Sequence, residues 1–182
     1  MRIGIYGGSF NPIHFGHIGL VKWVAENTDL DEVWMIISPN NPLKDKNILA
    51  DEHDRLEGAK EAIKDLLNSM KGRSTEKRIK VSDFEFNLPR PTYTANTLRA
   101  LAEEYPEHEF TLIIGEDNLT IFDKWREYQY IMDNYRIFVY PRRGTDKGED
   151  LSRIEHRNII FLENAPYFDI SSTDLRKQKS MA

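Results

Sequence analysis

The first seventeen residues constrain this chain more than any other stretch. Arg2 to Tyr6 (RIGIY) is a short apolar run. It leads without spare residues into Gly7-Gly8-Ser9-Phe10-Asn11-Pro12-Ile13-His14-Phe15-Gly16-His17, and then into the amphipathic run Ile18 to Ala25. That order reads as a buried strand, a glycine-rich turn and a helix. Gly7 and Gly8 are expected to let the backbone turn tightly and to leave main-chain N–H groups open to an anion, with the positive end of the helix behind them. His14 and His17 stand three residues apart at the mouth of that helix. Both imidazoles can therefore enter one pocket and donate to phosphate oxygens. Such a loop suits a nucleotide phosphate.

The rest of the chain repeats the alternation. Glu32 to Ser38 reads as a second buried strand, and Pro39 to Lys46, with two prolines and two asparagines, as a loop. Asp51 to Met70 carries a helical stripe (Leu56, Ala59, Ile63, Leu66, Leu67) behind Asp51 as N-cap. Arg78 to Asp83 alternates like a strand. The two prolines around Arg90 keep the middle of Phe84 to Thr94 from being helical, and Thr94 is placed to cap a helix from Ala95 to Tyr105. Glu109 to Ile114 is a further strand, Leu119 to Asp133 a largely helical stretch, and Tyr135 to Tyr140 and Asn158 to Leu162 two more strands. A last helix starts at Ser171. Strands alternating with helices predict an α/β fold: a doubly wound parallel sheet, residues 1–182 forming a single domain. Ligands in such sheets bind beyond the carboxyl ends of the strands, where the strand order reverses. The polar segments at GGSF, SPNNPLK, IIGED and YPRRG each follow a strand end and can line one crevice.

Composition narrows the functions left open. Among the 182 residues there is no cysteine, which excludes disulfides, a thiolate nucleophile and a Cys-based zinc site, and is compatible with a cytoplasmic location. No apolar run reaches membrane-spanning length, so no membrane contact is expected. The formal charge of −5 argues against a nucleic-acid partner. The oligomeric state cannot be read from the chain.

GGSFNPIHFGH resembles the (T/S)-x-x-(D/N)-P-x-H-x-G-H signature of the nucleotidylyltransferase superfamily. Ile170-Ser171-Ser172-Thr173-Asp174-Leu175-Arg176 resembles its second signature, I-S-S-T-x-(I/L)-R. Between them, Pro91-Thr92-Tyr93-Thr94-Ala95-Asn96-Thr97-Leu98 and Ile113-Ile114-Gly115-Glu116-Asp117-Asn118-Leu119 with Trp125 resemble blocks of bacterial nicotinate mononucleotide adenylyltransferases. The resemblance implies a Rossmann-like fold and adenylyl transfer from ATP to nicotinate mononucleotide, giving nicotinate adenine dinucleotide and pyrophosphate in NAD synthesis. Magnesium would be bound mainly through the ATP phosphates, with no dedicated protein ligands. Alternatives are an adenylyltransferase for nicotinamide mononucleotide or phosphopantetheine, or a non-catalytic nucleotide-binding regulator.

The same resemblance distributes the residues. His14, His17 and Arg176 would be catalytic. Gly7, Gly8, Ser9, Phe10, Gly115, Asp117, Ile170, Ser171, Ser172 and Thr173 would join them around ATP. Asn40, Lys44, Tyr93, Thr94, Trp125 and Arg142 would hold the acceptor, with Trp125 stacked on the pyridine ring. Two positions depart from the pattern: Asn11 stands where many members have Asp, and Leu43 where the branch often has His. Bland readings compete elsewhere. Trp125 beside Phe122 and Tyr128 can be core, Asp117 can cap a helix or bind ribose, and His53, His108, His156 and Arg55 read as surface residues, Arg55 as an ion-pair partner.

Overall fold

The computed structural model describes residues 1–40, 51–72, 78–142 and 155–167. Among them run β1 (Arg2–Gly8), α1 (Phe15–Asn27), β2 (Glu32–Ile37), α2 (Glu52–Ser69), β3 (Ile79–Ser82), α3 (Thr94–Glu104), β4 (Glu109–Gly115), α4 (Glu116–Leu119), α5 (Tyr128–Asn134), β5 (Arg136–Tyr140) and β6 (Ile159–Phe161). The strands form one sheet in the order β3-β2-β1-β4-β5-β6, and every neighbouring pair is parallel. The chain builds outward from β1 to β3, then returns to β4 on the other side of β1. The order therefore reverses between β1 and β4, where the carboxyl ends of the strands leave a crevice.

Alternation along the strands splits the core into two layers. Ile3 and Ile5 of β1, Ile36 of β2 and Ile137 and Val139 of β5 pack with Leu98 and Leu101 of α3 and Ile131 of α5. Tyr6, Val33, Met35, Ile37, Phe138 and Tyr140 face the opposite way and pack with Leu20 and Val24 of α1 and Leu56 and Ile63 of α2. A sheet buried on both faces has side chains for two cores, which is why its strands read as continuous apolar runs. Gly4 belongs to the second layer. A Cβ there would lie 2.6 Å from Leu30 Cδ1 and 2.8 Å from Ile113 Cδ1.

Several local expectations change. The helix expected across residues 119–133 is broken into α4, a 3-10 turn at Phe122–Lys124 and α5, with Glu127 in the left-handed region (φ 54°). The break lets Phe122 fill the core while Trp125, its ring 5.1 Å away, stands half-buried toward the crevice. Tyr93, not Thr94, occupies the N-cap of α3. Asp51 caps α2 as expected, accepting from His53 N–H. His108 is not a plain surface residue; its ring stacks on Tyr105 at 5.7 Å and meets Trp34 and Phe110 edge-on. The helix expected from Ser171 lies outside the described residues.

Candidate active site

Gly7 and Gly8 do not make the turn. Both remain in β1, in register with Ile36 and Ile37 of β2. The chain turns two residues later, at Phe10, whose φ is +48°. A left-handed phenylalanine is strained by roughly 1 kcal/mol. Packing holds it there: the ring is buried, edge-on to Tyr6 (5.4 Å) and His17 (4.8 Å). Gly8 makes room for it, because a Cβ on Gly8 would sit 3.3 Å from the ring. Gly7 borders the crevice without a side chain. Ser9 follows, exposed to solvent.

His14 is the N-cap of α1, and His17 closes the cap from the helix. Gly16 N–H donates to His14 Nδ1 at 3.1 Å, and His14 N–H donates to His17 Nδ1 at 3.2 Å. Each Nδ1 is thereby an acceptor, so in the neutral ring the proton sits on Nε2. The rings stack 3.7 Å apart at 23°. Burial first, then the positive charges of His14 and Arg142, pushes the His17 pKa down to about 3. His17 thus presents a neutral Nε2–H donor at neutral pH.

Arg142 lies on this side of the crevice. A groove lined by His14, His17, Tyr6, Tyr140 and Arg142 runs beside α1. Arg142 donates to the Tyr140 hydroxyl, which also bonds with Tyr6, and burial raises the pKa of both phenols. Its Nε is 3.9 Å from Asp117. Asp117 does not cap α4, since Gly115 holds that position. Gly115 also has no room for a side chain, because a Cβ would meet Asp117 and come 2.9 Å from Arg142 Cγ. The structure therefore groups Arg142 with the histidines and Asp117, and not with Trp125.

A second cavity of about 150 Å³ lies across β1, lined among others by Gly7, Gly8, Ser38, Thr94, Asn118 and Trp125. It is the size of a small aromatic ring rather than a whole nucleotide. Tyr93 stands next to it with its ring under the Arg126 guanidinium at 4.7 Å, and its carbonyl accepts from Thr97. Glu85, from the 3-10 turn Phe84–Asn87, also lines the cavity and is 7% exposed. Burial raises its pKa to about 7, against a hydrogen bond from Thr92 that lowers it. No periodicity in the sequence marks Glu85.

Arg55 corrects the surface reading most sharply. It is 4% exposed, and its guanidinium donates to Ser9 C=O (2.6 Å), Ser38 C=O (2.9 Å) and Asn40 Oδ1 (2.8 Å). One side chain of α2 thus ties the loop after β1 to the loop after β2. Asn40 N–H in turn donates to Glu52, which pairs with Arg90 at 3.0 Å. A signal was present: Arg55 sits four residues before Ala59 on the helix's apolar stripe. Lys44, Ile170, Ser171, Ser172, Thr173 and Arg176 lie outside the described residues.

Magnesium prefers oxygen ligands in an octahedron. Among the described residues no three His, Cys, Asp or Glu side chains form a group able to hold an ion. The donors gathered here are imidazole, guanidinium and backbone N–H groups, which suit phosphate. That set fits an ion arriving on phosphate oxygens.

A parallel sheet of this order, with a histidine pair capping the helix after its first strand, defines a doubly wound α/β protein with a ligand site at its switch point. The cytidylyltransferase-like family model matches residues 5–178. The chain is 45% identical to the probable nicotinate-nucleotide adenylyltransferase of Flavobacterium psychrophilum over 177 residues, 97% of this chain and 86% of that protein. It is 43% identical to that of Bacteroides fragilis, covering 97% and 81%. In fold it is similar to Plasmodium falciparum nicotinic acid mononucleotide adenylyltransferase complexed with NaAD, with a TM-score of 0.76 at 21% identity, covering 97% of this chain and 82% of that one. The chain belongs to the nicotinate-nucleotide adenylyltransferase family.

Proposed function

We propose that this protein transfers the adenylyl group of ATP to nicotinate mononucleotide, forming nicotinate adenine dinucleotide and pyrophosphate in NAD synthesis. The observation that carries the reading is the pair of Nε2–H donors, fixed by backbone hydrogen bonds at the switch point of the sheet, beside a ring-sized cavity that holds Trp125. The acceptor's phosphate is a nucleophile at neutral pH and needs no base. One of its oxygens bonds to the α-phosphorus of ATP as the bond from that phosphorus to the bridging oxygen breaks, and pyrophosphate leaves with the electron pair. The protein's task is alignment and charge stabilisation.

In this reading His14 and His17 donate to the phosphates of ATP, and Arg142 adds charge beside them. Gly7 and Gly8 let the nucleotide approach the backbone. Trp125 stacks on the pyridine ring, with Tyr93 and Thr94 offering groups to its substituent. Asn40 faces the acceptor's phosphate under the control of Arg55. Lys44 on that side, and Ser172, Thr173 and Arg176 on the ATP side, rest on the signatures alone. Magnesium, bound mainly through the phosphates, neutralises their charge. A cytoplasmic location belongs to the same proposal; among the described residues no helix is long and apolar enough to cross a membrane.

The test is pyrophosphate release with ATP and magnesium, comparing nicotinate mononucleotide, nicotinamide mononucleotide and phosphopantetheine. Preference for the first is expected. Release with none of them, by a protein that still binds ATP, would overturn the reading in favour of a nucleotide-binding regulator.

A further inference from the structure

The ring-sized cavity contains one carboxyl group among its described lining residues, and the proposed reaction gives it no task. Glu85 reaches the cavity from the 3-10 turn after β3, in company with Thr92, Thr94, Trp125 and the apolar Ile36 and Leu112. An acid in such surroundings is either protonated or partnered, because an unpaired ionised carboxylate is strongly disfavoured away from water. The hydroxyl of Thr92 bonds with it and can either donate to it or accept from it.

We propose that Glu85 is a specificity-determining residue of the acceptor site: carrying a proton, its carboxyl donates to the carboxylate of the pyridine ring, and ionised, it accepts from the amide of the alternative nucleotide. This inference rests on the proposed function, since it takes the cavity beside Trp125 as the ring's seat. The chemistry is that of a shared proton. Two carboxylates in one small apolar cavity repel each other, whereas an acid and a carboxylate form a strong hydrogen bond. A carboxamide has the opposite preference, because its N–H groups need an acceptor. Discrimination between acid and amide therefore depends on whether Glu85 holds its proton, and its pKa of about 7 puts that change within the working range.

Other charged and titratable groups around it are few. Tyr6 of β1 and Tyr140 of β5 line the same cavity and stay protonated, their pKa values raised by burial. From α2, His53 packs edge-on against Phe86 at 5.5 Å, next to Glu85 in sequence, and Glu52 is paired with Arg90. Burial is what raises the Glu85 pKa.

The experiment is kcat/KM for nicotinate mononucleotide and for nicotinamide mononucleotide between pH 6 and 8, in the wild type and in Glu85→Gln. Titration of ATP and of the acceptor's phosphate is common to both reactions and cancels in the acid-to-amide ratio. The wild-type ratio is expected to fall about a hundredfold from pH 6 to pH 8, because an ionisation near 7 cuts the acid-binding form about tenfold and raises the amide-binding form about tenfold. The amide introduced by Glu85→Gln keeps an N–H donor at every pH, so the variant's ratio should stay flat and remain near the wild-type value at pH 6. A constant wild-type ratio overturns the proposal, and so does an equal fall in both proteins. The wild-type series decides the matter even where the variant folds poorly, which a thermal melt reveals. Turnover of neither nucleotide would defeat the functional reading itself, an outcome distinct from turnover with a ratio that ignores pH.

Discussion

His14 and His17 stack ring on ring at 3.7 Å, and the backbone N–H of the first donates to Nδ1 of the second. The two imidazoles therefore form one rigid unit at the mouth of α1, with both Nδ1 atoms engaged as acceptors of backbone N–H groups. His17→Ala is expected to lower kcat by about 10²–10³-fold, the scale for losing one preorganised donor to developing charge, with a much smaller change in the KM for ATP. Equal losses in both would mean that His17 serves binding alone.

The same ring has a pH signature. Its pKa is about 3 in the folded protein and about 6.5 in an unfolded chain. Below 6.5 the unfolded chain takes up a proton that the folded protein refuses, so this group erodes stability as pH falls from 6.5 toward 3. NMR of the free protein should show the His17 ring protons unchanged from pH 8 to 5. A midpoint near 6.5 would show that the stack leaves the ring open to protonation.

Arg55 supplies three hydrogen bonds to acceptors on two loops. Arg55→Ala strands those acceptors and is expected to cost about 3 kcal/mol of stability, measured by urea unfolding. Arg55→Lys keeps the charge but not the planar fork and should recover only part of it. At temperatures where the variants stay folded, the KM for the acceptor should rise through Asn40.

Trp125→Ala should raise the acceptor's KM by about tenfold, in keeping with an aromatic contact of about 1–1.5 kcal/mol, and leave the KM for ATP unchanged. An unaltered acceptor KM would return Trp125 to the core, as its contact with Phe122 permits.

At the amino-terminal edge of the sheet, Asp29 accepts from both guanidinium nitrogens of Arg136 at 2.8 Å and from Arg2 at 2.8 Å. The bond from Arg136 is the largest cause of its lowered pKa. Its contribution to stability is present above the unfolded carboxyl pKa of about 3.9 and is lost as pH falls through the lower folded value. Because Asp29 is substantially exposed, Asp29→Ala should cost only about 1 kcal/mol at pH 7, and variant and wild type should converge in acid. A gap that persists there would point to packing instead.

Some of this was legible in the sequence because it is encoded locally. Six strands and the helix after His14 follow from apolar runs, alternation and capping residues, and these depend on neighbours three or four positions away. The histidine pair is local too, since a helix start brings residues i and i+3 together whatever surrounds it. The glycines misled. Gly7 and Gly8 sit in a regular strand, and the turn falls on Phe10, because a buried ring packed over Gly8 outweighs the modest cost of a left-handed backbone.

Tertiary structure alone decided the remainder. Asp29 and Arg136 are separated by 107 residues, and Arg55 and Ser9 by 46; no local pattern announces such pairs, because the parallel sheet brings distant strand ends to one edge. Glu85 became a cavity acid, and Arg142 a neighbour of the histidines, only when β1 and β4 met at the point where the strand order reverses. The sequence by itself determined which segments would be strands and helices and which loop would carry the histidine pair. What faces what across the crevice was settled by the three-dimensional packing, since burial, charge and hydrogen bonding act through space and not along the chain.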